Sequence, residues 1–269
     1  MLTTENSPFD AVAASYDNQF THTLVGAEQR KLSRHWLEKA LGGRSHLEIL
    51  EINCGTGTDA LWLASLGHSV IATDQSGAMI NRAKEKLLSS DENNVHFVHC
   101  NFAELVQKFA SDKFDLIFSN FSGLNCVPPG ELDDVSEQLH SLLKPNGLLA
   151  MVVFGKYSWW ETFFYLFKGV PRKAFRRWLN RSLTVKISEY SYQRVYYYSI
   201  RRLKNKFLPL KLVDKRPVGL FIPPSYLDKA MQKRPKFFGA LAKLETRLTG
   251  SKLTSSLADH VFLLFKKQE

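Results

Sequence analysis

The sequence contains few cysteines and no long apolar run. Its three cysteines, Cys54, Cys100 and Cys126, lie far apart and form no Cys-x-x-Cys pair. This spacing disfavours a disulfide framework and a zinc site, so no metal is expected, and it indicates a reducing compartment. No apolar run approaches the roughly 20 residues that are needed to cross a bilayer. The first residues lack the basic-then-apolar order of a secretory signal, and we expect a cytoplasmic protein.

Positive charge is scarce at the start of the chain and concentrated in its middle. Residues 1–154 carry a net charge of −8, whereas residues 155–216 carry +13. A solvated basic surface would explain this distribution. The alternative is a docking face for an anionic partner: an acidic carrier protein, a phosphorylated substrate, an anionic membrane surface or, with less support, a nucleic acid. A peripheral position at a membrane therefore stays open.

Short apolar segments alternate with helical patterns through the first part of the chain. Such alternation predicts right-handed βαβ units and hence an open, mainly parallel sheet. Two later extended segments, one from near Leu208 and one at HVFLLFKK, would bring the sheet to about seven strands. The predicted fold class is α/β, a Rossmann-like sheet with helices on both faces. The five early strands are LEILEI, HSVIATD, VHFVHC, FDLIFSN and LLAMVVF.

The alternation stops after Phe154. The next residues are rich in aromatic and basic side chains and contain helical pieces without a regular order of strands and helices. We interpret them as a helical lid inserted after the fifth strand. The predicted organisation is a helical cap at 1–45, a core at 46–154, the lid at 155–206, and closing strands at 207–269 with a helical segment at 225–249.

The segment ILEINCGTGTDA joins the first strand to a helix through a tight turn. Gly55 and Gly57 allow the backbone to turn sharply and to approach a ligand closely. Glu51 lies near the end of the first strand. Asp74 ends the second strand, where a carboxylate is well placed to accept hydrogen bonds from ribose hydroxyls. Together these features predict a site for an adenosine-containing cofactor; a purely structural turn is the alternative.

The charge of the site indicates which cofactor it binds. Gly55-x-Gly57-x-x-Ala60 also satisfies the loose dinucleotide pattern. Glu51 in the strand and Asp59 in the first helical turn would repel a pyrophosphate, however. S-adenosylmethionine (SAM) carries a cationic amino group and a sulfonium but no phosphate, and it therefore suits both acids better than NAD does.

These motifs resemble those of the class I SAM-dependent methyltransferases, in particular the small-molecule type related to quinone-biosynthesis methyltransferases. ILEINCGTG resembles the family's first motif, with Glu51 and Asn53 where Asp and Gly are usual. FDLIFSNFSGLNCV resembles the fourth-strand motif, LLKPNGLLAMVVF the fifth-strand segment, and FDAVAASYD the N-terminal cap. The resemblance covers residues 8–154 and the closing strands, and it is specific as a set. Residues 155–250 match no motif of the family.

The resemblance implies a cofactor site built from several loops. Glu51 would lie near the SAM amino group, Asp74 would bind the ribose, and Tyr16 would fold over the cofactor. Asn101 stands where the family commonly has an acid, and it would reach the adenine amino group through its amide oxygen. The complete predicted cofactor site comprises Tyr16, Glu51, Asn53, Gly55, Gly57, Asp74, Gln75, Asn101, Phe102, Ser119 and Asn120.

The lid is predicted to bind the acceptor. FGKYSWWETFFYLF has eight aromatic residues in fourteen, and a helix that is apolar this far round must be buried or contact lipid or a ligand. Core packing would explain part of these side chains; the others suggest a pocket for a flat or long apolar acceptor. The predicted pocket residues are Asn125, Tyr157, Trp159, Trp160 and Phe163, and the candidate catalytic bases are His22 beside the cap and Glu161 in the lid.

These features predict a SAM-dependent methyltransferase of small-molecule biosynthesis. Its acceptor would be apolar or aromatic and would be methylated on oxygen in preference to carbon or nitrogen. Two alternatives stay open. One is an RNA methyltransferase, because Tyr and Arg are interleaved in the basic middle of the chain. The other is a non-catalytic binding subunit with a methyltransferase-like fold.

Overall fold

The computed structural model describes residues 7–179, 182–248 and 250–269. The first six residues of the predicted cap, Asn180 and Arg181 of the lid, and Thr249 of the predicted C-terminal helical segment lie outside the described residues. Within the described ranges, no helix is both long and apolar enough to cross a membrane. The same ranges contain no cluster of three or more His, Cys, Asp or Glu side chains that could hold a metal ion.

A central sheet organises the protein, and a separate hairpin lies beside it. The strands are β1 (Glu48–Ile52), β2 (Ser69–Asp74), β3 (Val95–His99), β4 (Phe114–Ser119), β5 (Leu143–Phe154), β6 (Ser182–Lys186), β7 (Tyr192–Tyr196), β8 (Leu210–Val218) and β9 (His260–Lys267). The seven-stranded sheet has the order β3-β2-β1-β4-β5-β9-β8, in which β9 pairs antiparallel with both β5 and β8 and the other pairs are parallel. The predicted Rossmann-like α/β fold is confirmed.

Helices occupy the connections between the strands. They are α1 (Leu24–Leu41), α2 (Thr58–Ser65), α3 (Gly77–Leu88), α4 (Leu105–Lys108), α5 (Leu132–Leu142), α6 (Trp159–Phe167), α7 (Pro171–Ala174), α8 (Arg176–Leu179), α9 (Ile200–Lys206), α10 (Asp228–Gln232) and α11 (Pro235–Leu248). Ser76 caps α3, because its side-chain oxygen accepts a hydrogen bond from the backbone N–H of Met79 at 3.1 Å. Helix α1 ends at Gly42 with φ +60°, as a glycine stop requires.

The sheet is buried on both faces because its parallel strands carry apolar side chains in both directions. In β1, Ile49 packs in a cluster with Leu37 of α1, whereas Leu50 packs in a second cluster with Leu139 of α5. Apolar packing therefore fills both faces of the strands. The carboxyl edge of the sheet is where polar side chains collect.

Two parts of the fold differ from the prediction. The fifth strand is predicted as LLAMVVF, which starts at Leu148, but β5 begins at Leu143 and its register with β4 is irregular after Phe114. Asn146 takes a left-handed backbone there (φ +65°), so the turn-like sequence is accommodated within a strand. The insertion is also not purely helical, because β6 and β7 form an antiparallel hairpin between α8 and α9.

Residues 219–222 tie the lid to the C-terminal helix. The buried carboxylate of Glu245 on α11 accepts hydrogen bonds from all four backbone N–H groups of this segment. The indole N–H groups of Trp159 and Trp160 donate to two carbonyl oxygens of the same segment. Since both its donors and its acceptors have partners, the segment is held firmly between α6 and α11.

Glu245→Ala should destabilise the protein by about 3–5 kcal/mol, because each buried N–H left without an acceptor costs about 1–3 kcal/mol. Urea denaturation measures the loss. Glu137 on α5 is exposed and offers a control: Glu137→Ala should leave the free energy of unfolding nearly unchanged. An equal loss in both variants would contradict this role of Glu245.

Candidate functional site

The carboxyl ends of β1, β2 and β4 meet at one edge of the sheet, where the glycine turn begins. The turn residues have left-handed backbones, with φ of +54° at Asn53, +55° at Gly55 and +75° at Gly57. A Cβ on Gly57 would lie 2.6 Å from the Phe97 ring, so a larger residue does not fit there. A Cβ on Gly55 would have the Tyr16 ring as its nearest neighbour, 4.0 Å away. The backbone of the turn is therefore accessible to a ligand beneath Tyr16.

Asp74 holds this turn from the end of β2. One carboxylate oxygen accepts the backbone N–H of Gly55 at 2.8 Å, and the other accepts the N–H of Ser76 at 2.8 Å. Burial raises the pKa of Asp74, while the two hydrogen bonds favour the ionised form. Each carboxylate oxygen keeps a further lone pair, which suits the two hydroxyls of a ribose. Asp74 therefore fits its predicted role.

Glu51 lies beside the turn, and its side chain is buried. Among the described residues, its Oε2 atom has no hydrogen-bond partner. Burial, followed by the nearby Asp59 carboxylate, raises the pKa of Glu51 well above the ordinary carboxyl value. A buried carboxylate oxygen without a donor is unfavourable, and a cationic amino group beside it would remove that penalty. The negative charge of Glu51 therefore suits the cationic amino group of SAM.

The N-terminal cap is fastened to the glycine turn by polar contacts. Thr56 donates a hydrogen bond to Asp17 at 2.7 Å, and Lys86 of α3 pairs with the same carboxylate at 2.6 Å. These contacts hold Tyr16 against the turn. Burial raises the pKa of Tyr16 to about 12, so its phenol stays protonated and can donate a hydrogen bond. Contact between Tyr16 and the cofactor stays a prediction.

Three polar residues at the ends of β1 and β4 bond largely to one another. Ser119 donates to Asn53 at 2.6 Å, and the Asn53 amide donates to the backbone carbonyl of Asn120 at 2.8 Å. The Asn120 amide donates in turn to Ser33 of α1 and to Asp59 of α2. These bonds fix the two strand ends against α1 and α2. Direct contact of the three residues with SAM stays a prediction.

Asp59 does not have the role that the sequence suggests. Its buried carboxylate pairs with Arg30 and, at 2.8 Å, with Arg34, both on α1. The negative charge of Asp59 is therefore compensated within the protein, and the inference that it repels a phosphate is wrong. The preference for a cationic ligand then depends on Glu51.

Three of the predicted cofactor residues, Gln75, Asn101 and Phe102, follow β2 and β3. Asn101 accepts the backbone N–H groups of Ala103 and Glu104 at 2.9 and 3.2 Å, and so its amide oxygen caps a helical turn. The prediction that this oxygen receives the adenine amino group is therefore wrong. Gln75 is exposed at the end of β2 and Phe102 is half-buried. Their contact with the cofactor stays a prediction.

The two candidate bases lie in different environments. His22 is exposed just before α1, and its role stays a prediction. Glu161 is only 1% exposed and accepts hydrogen bonds from Arg176 at 2.7 and 2.9 Å and from Arg177 at 3.1 Å. Both carboxylate oxygens are thus bonded to guanidinium groups inside the lid and are not available to an acceptor hydroxyl. The prediction of Glu161 as a base is therefore wrong.

Two of the predicted pocket residues, Asn125 and Phe163, differ in burial. Asn125 is fully buried, and its side chain donates to the Tyr196 carbonyl at 2.6 Å and accepts the Phe154 N–H at 2.9 Å. It therefore joins β7 to β5 and is not available to an acceptor. Phe163 of α6 is 50% exposed, and its ring lies edge-on to Trp159 with centroids 5.8 Å apart, so its contact with an acceptor stays a prediction.

The other predicted pocket residues pack within the lid. The Tyr157 ring lies edge-on to Trp178, with centroids 5.0 Å apart. Trp159 and Trp160 are half-buried, and their indole groups face residues 219–222. Whether these three side chains touch an acceptor stays a prediction.

A row of rings crosses the ends of β4 and β5 and the start of β9, and it is not among the features predicted from the sequence. Ring centroids are separated by 5.0 Å between Phe20 and Phe121, 5.7 Å between Phe121 and His260, 4.6 Å between His260 and Phe154, and 5.8 Å between Phe154 and Tyr197. Phe154 pairs with His260 in the antiparallel register of β5 and β9. The strand topology could have predicted the pairing of Phe154 with His260, since an antiparallel strand begins where its parallel neighbours end.

A buried charge network supports the row from the lid side. Arg177 pairs with Glu161 at 3.0 Å and with Asp259 at 3.1 Å, and its guanidinium lies 5.3 Å from the Phe154 ring centroid. Burial alone would lower the pKa of Arg177, but the carboxylates of Asp259 and Glu161 raise it above its ordinary value. Asp259 also lies 3.3 Å from Nδ1 of His260. The row therefore includes an imidazole that faces a carboxylate.

Comparisons with known proteins agree with this geometry. The family described as "Methyltransferase domain" matches residues 49–147. A demethylmenaquinone methyltransferase of Clavibacter sepedonicus is 32% identical over 146 residues, which are 54% of this chain and 56% of that protein. A demethylmenaquinone methyltransferase of Leptospira interrogans is 30% identical over 179 residues, which are 63% of this chain and 70% of that protein.

A third relative and a solved structure extend the comparison. The tRNA 5-carboxymethoxyuridine methyltransferase of Escherichia coli K12 is 28% identical over 62% of this chain and 66% of that protein. The matched part of the chain spans 56–70% of the length of these relatives. Phosphoethanolamine N-methyltransferase 2 of Haemonchus contortus, in complex with SAM, has the same fold, with a TM-score of 0.63 at 14% identity over 97% of this chain and 57% of that chain. The class and the cofactor agree with the sequence motifs, and the chain belongs to the class I SAM-dependent methyltransferases.

Proposed function

We propose that this chain transfers the methyl group of SAM to a small apolar or aromatic acceptor, on oxygen in preference to carbon or nitrogen. The observation that carries the proposal is the buried Glu51 carboxylate, which lacks a partner for Oε2 among the described residues and lies beside the glycine turn. The row of rings at the ends of the neighbouring strands supports an aromatic acceptor. The demethylmenaquinone methyltransferases among the relatives support one that resembles a quinone.

Cofactor binding would use the residues around the glycine turn. Glu51 accepts a hydrogen bond from the amino group, Asp74 holds the ribose hydroxyls, and Tyr16 closes the site from the cap. When bound, SAM supplies a methyl carbon that is already activated by a positively charged sulfur. The protein itself then excludes water and aligns the acceptor with that carbon.

The row of rings would bind the acceptor. Phe121 and Phe154 offer apolar surfaces to a flat ring, and His260 is the polar group between them. The Asp259 carboxylate beside Nδ1 favours the imidazole tautomer that leaves Nε2 as an acceptor. His260 takes the proton of an acceptor hydroxyl while the O–C bond forms and the C–S bond breaks. In this proposal His260, and neither His22 nor Glu161, is the base.

We also propose that the insertion contacts an anionic partner, either an acidic carrier protein or an anionic membrane surface. The net charge of +13 on residues 155–216 supports this contact. Arg176 and Arg177 are engaged by Glu161, so they contribute little to it. Exposed cations such as Lys168 and Arg172 are available instead. A cytoplasmic location agrees with these contacts and stays a prediction.

RNA is the second candidate acceptor, favoured by the tRNA methyltransferase among the relatives and by the basic insertion. The candidates are separated by incubating the protein with methyl-labelled SAM and, in parallel reactions, one of three acceptors. These are a short-chain naphthoquinol, an acyl carrier protein that bears an acyl group, and tRNA. Label in the quinol supports the proposal, and label in tRNA alone overturns the acceptor class. SAM binding without transfer to any of the three would favour a non-catalytic binding subunit.

Glu51→Gln should weaken SAM binding by about tenfold or more, because a charge-assisted hydrogen bond of about 1.5–3 kcal/mol is lost. The affinity for adenosine, which lacks the amino group, should hardly change. Isothermal titration with both ligands measures the difference. Without SAM, the Glu51→Gln variant should be at least as stable as the wild type. Burial raises the pKa of Glu51 in the folded state, so at any pH above its unfolded-state pKa the carboxyl group destabilises the fold, and the neutral amide removes this cost.

The same site predicts the sign of a pH effect. The amino group of SAM favours ionised Glu51, whereas the pKa of Glu51 in the free protein is raised by burial, so SAM affinity should fall as the pH drops through that raised pKa. Glu51→Gln should flatten most of this dependence, with a remainder from Asp74, whose pKa burial also raises. Tighter SAM binding at acid pH would contradict the assignment.

Asp74→Asn should weaken the binding of both SAM and adenosine by about tenfold or more, because the ribose loses charge-assisted hydrogen bonds. Asp115 at the opposite end of the sheet provides a matched control, since it accepts the Glu48 N–H at 2.9 Å. Asp115→Asn should leave both affinities unchanged. If Asp74→Asn lost SAM but kept adenosine, Asp74 would not be the ribose ligand.

His260→Gln should lower kcat with a hydroxyl-bearing acceptor by about 100-fold or more, because a general base contributes roughly 10²–10⁴ in rate. SAM affinity, measured by titration, should stay unchanged. The control is His22→Gln, a change at an exposed position that should keep full activity. Loss of activity in His22→Gln, with full activity in His260→Gln, would make His22 the base instead.

A further inference from the structure

The outer side of the lid carries exposed apolar side chains. Phe167 and Leu179 have 89% and 79% of their surface exposed, and others nearby are at least a third exposed. Monomeric soluble proteins rarely leave clustered apolar side chains uncovered unless they contact a partner or a membrane. We call this surface the α6–α8 face; it consists of Phe163, Leu166, Phe167, Val170, Trp178 and Leu179.

The exposed charges of this face have one sign. Lys168, Arg172 and Lys173 are exposed beside the apolar side chains. Glu161 is the only acid in residues 155–179, and it is buried in its pairs with two arginines. The single acid of residues 155–179 is therefore buried, and the exposed charged side chains of this segment are all positive.

The inner side of the same helices is anchored to the core. Trp159 and Trp160 of α6 donate hydrogen bonds to residues 219–222. Arg177 of α8 lies 5.3 Å from the Phe154 ring centroid and 5.2 Å from that of Tyr197. The short lid helices thus connect the exposed face with the row of rings at the end of β5.

We propose that the α6–α8 face docks on an anionic lipid bilayer. Phe167 and Leu179 enter the boundary between headgroups and acyl chains, while the neighbouring cations meet lipid phosphates. Aromatic and leucine side chains flanked by Lys and Arg have the composition of such an interfacial surface. An acidic protein or an RNA would neutralise the cations but offers no acyl phase to Phe167 and Leu179, so lipid is the better match.

Docking and the proposed reaction are separable. The bilayer contact depends on exposed side chains of the lid and not on methyl transfer. One consequence rests on the proposed function: an apolar acceptor dissolved in the bilayer would reach the row of rings from the lid side. The experiment therefore measures vesicle binding and SAM binding separately.

Co-sedimentation of the full chain with lipid vesicles tests the docking. One set of vesicles contains phosphatidylcholine alone, and the other contains phosphatidylcholine mixed with phosphatidylglycerol. Binding is expected to the mixed vesicles, and it should weaken with salt because exposed charges are screened over about 8–10 Å. The double variant Phe167→Ser/Leu179→Ser should bind about tenfold more weakly at every salt concentration. The control Leu88→Ser/Leu253→Ser changes two leucines of 88% and 89% exposure elsewhere and should bind like the wild type.

Arg172→Gln/Lys173→Gln should weaken binding to the mixed vesicles by roughly thirtyfold at low salt, which is about a factor of five for each charge. The deficit should shrink at high salt. The control Lys84→Gln/Lys211→Gln removes two exposed cations elsewhere and should have little effect.

All four variants should bind SAM as the wild type does, so that a failure of docking is distinguished from a failure of the proposed function. Absence of binding to the mixed vesicles would overturn the proposal. An equal loss in the control variants would overturn it too, as would binding of acyl carrier protein or tRNA without binding of vesicles.

Discussion

The two hydrogen bonds that Asp74 accepts from Gly55 and Ser76 set the geometry on which the site depends. They join the end of β2 to the turn after β1 and to the start of α3. At the other end of the turn, Gly57 is packed against Phe97 with no space for a side chain. The turn is therefore held in shape before any ligand arrives. A preformed backbone loses little conformational entropy on binding, which favours affinity.

Two buried acids around the site, Asp59 and Asp259, are paired with arginines, whereas Glu51 is not paired with one among the described residues. Asp59 is compensated by Arg30 and Arg34, and Asp259 by Arg177. Glu51 has an oxygen without a donor in the described part of the chain. Because an uncompensated buried carboxylate lowers the stability of the fold, a cationic ligand explains its presence better than packing does. This contrast, more than the glycine turn, indicates what the site binds.

The first five strands are predictable from the sequence because each is a short apolar run bounded by a turn. The left-handed backbone at Asn53 and the cap at Ser76 are predictable as well, since both depend on local chemistry. The role of Asn125 is not, because its partners lie 71 and 29 residues away at Tyr196 and Phe154. A local pattern does not encode such contacts. The same reason hides the row of rings, which three separate strands bring together.

The lid shows why the net charge of a segment does not describe its surface. Arg177 lies between two buried carboxylates, which neutralise its charge. These ion pairs fix the lid to the end of β5 and the start of β9. Lys168, in the turn after α6, and Arg172 of α7 are exposed, and residues 162–179 contain no acid that could neutralise them. Burial thus divides the arginines and lysines into two groups. One group fixes the inner side of the lid against the row of rings, and the other makes the outer side positive. Substitutions can therefore alter the surface charge of the lid without loosening its anchor to the core.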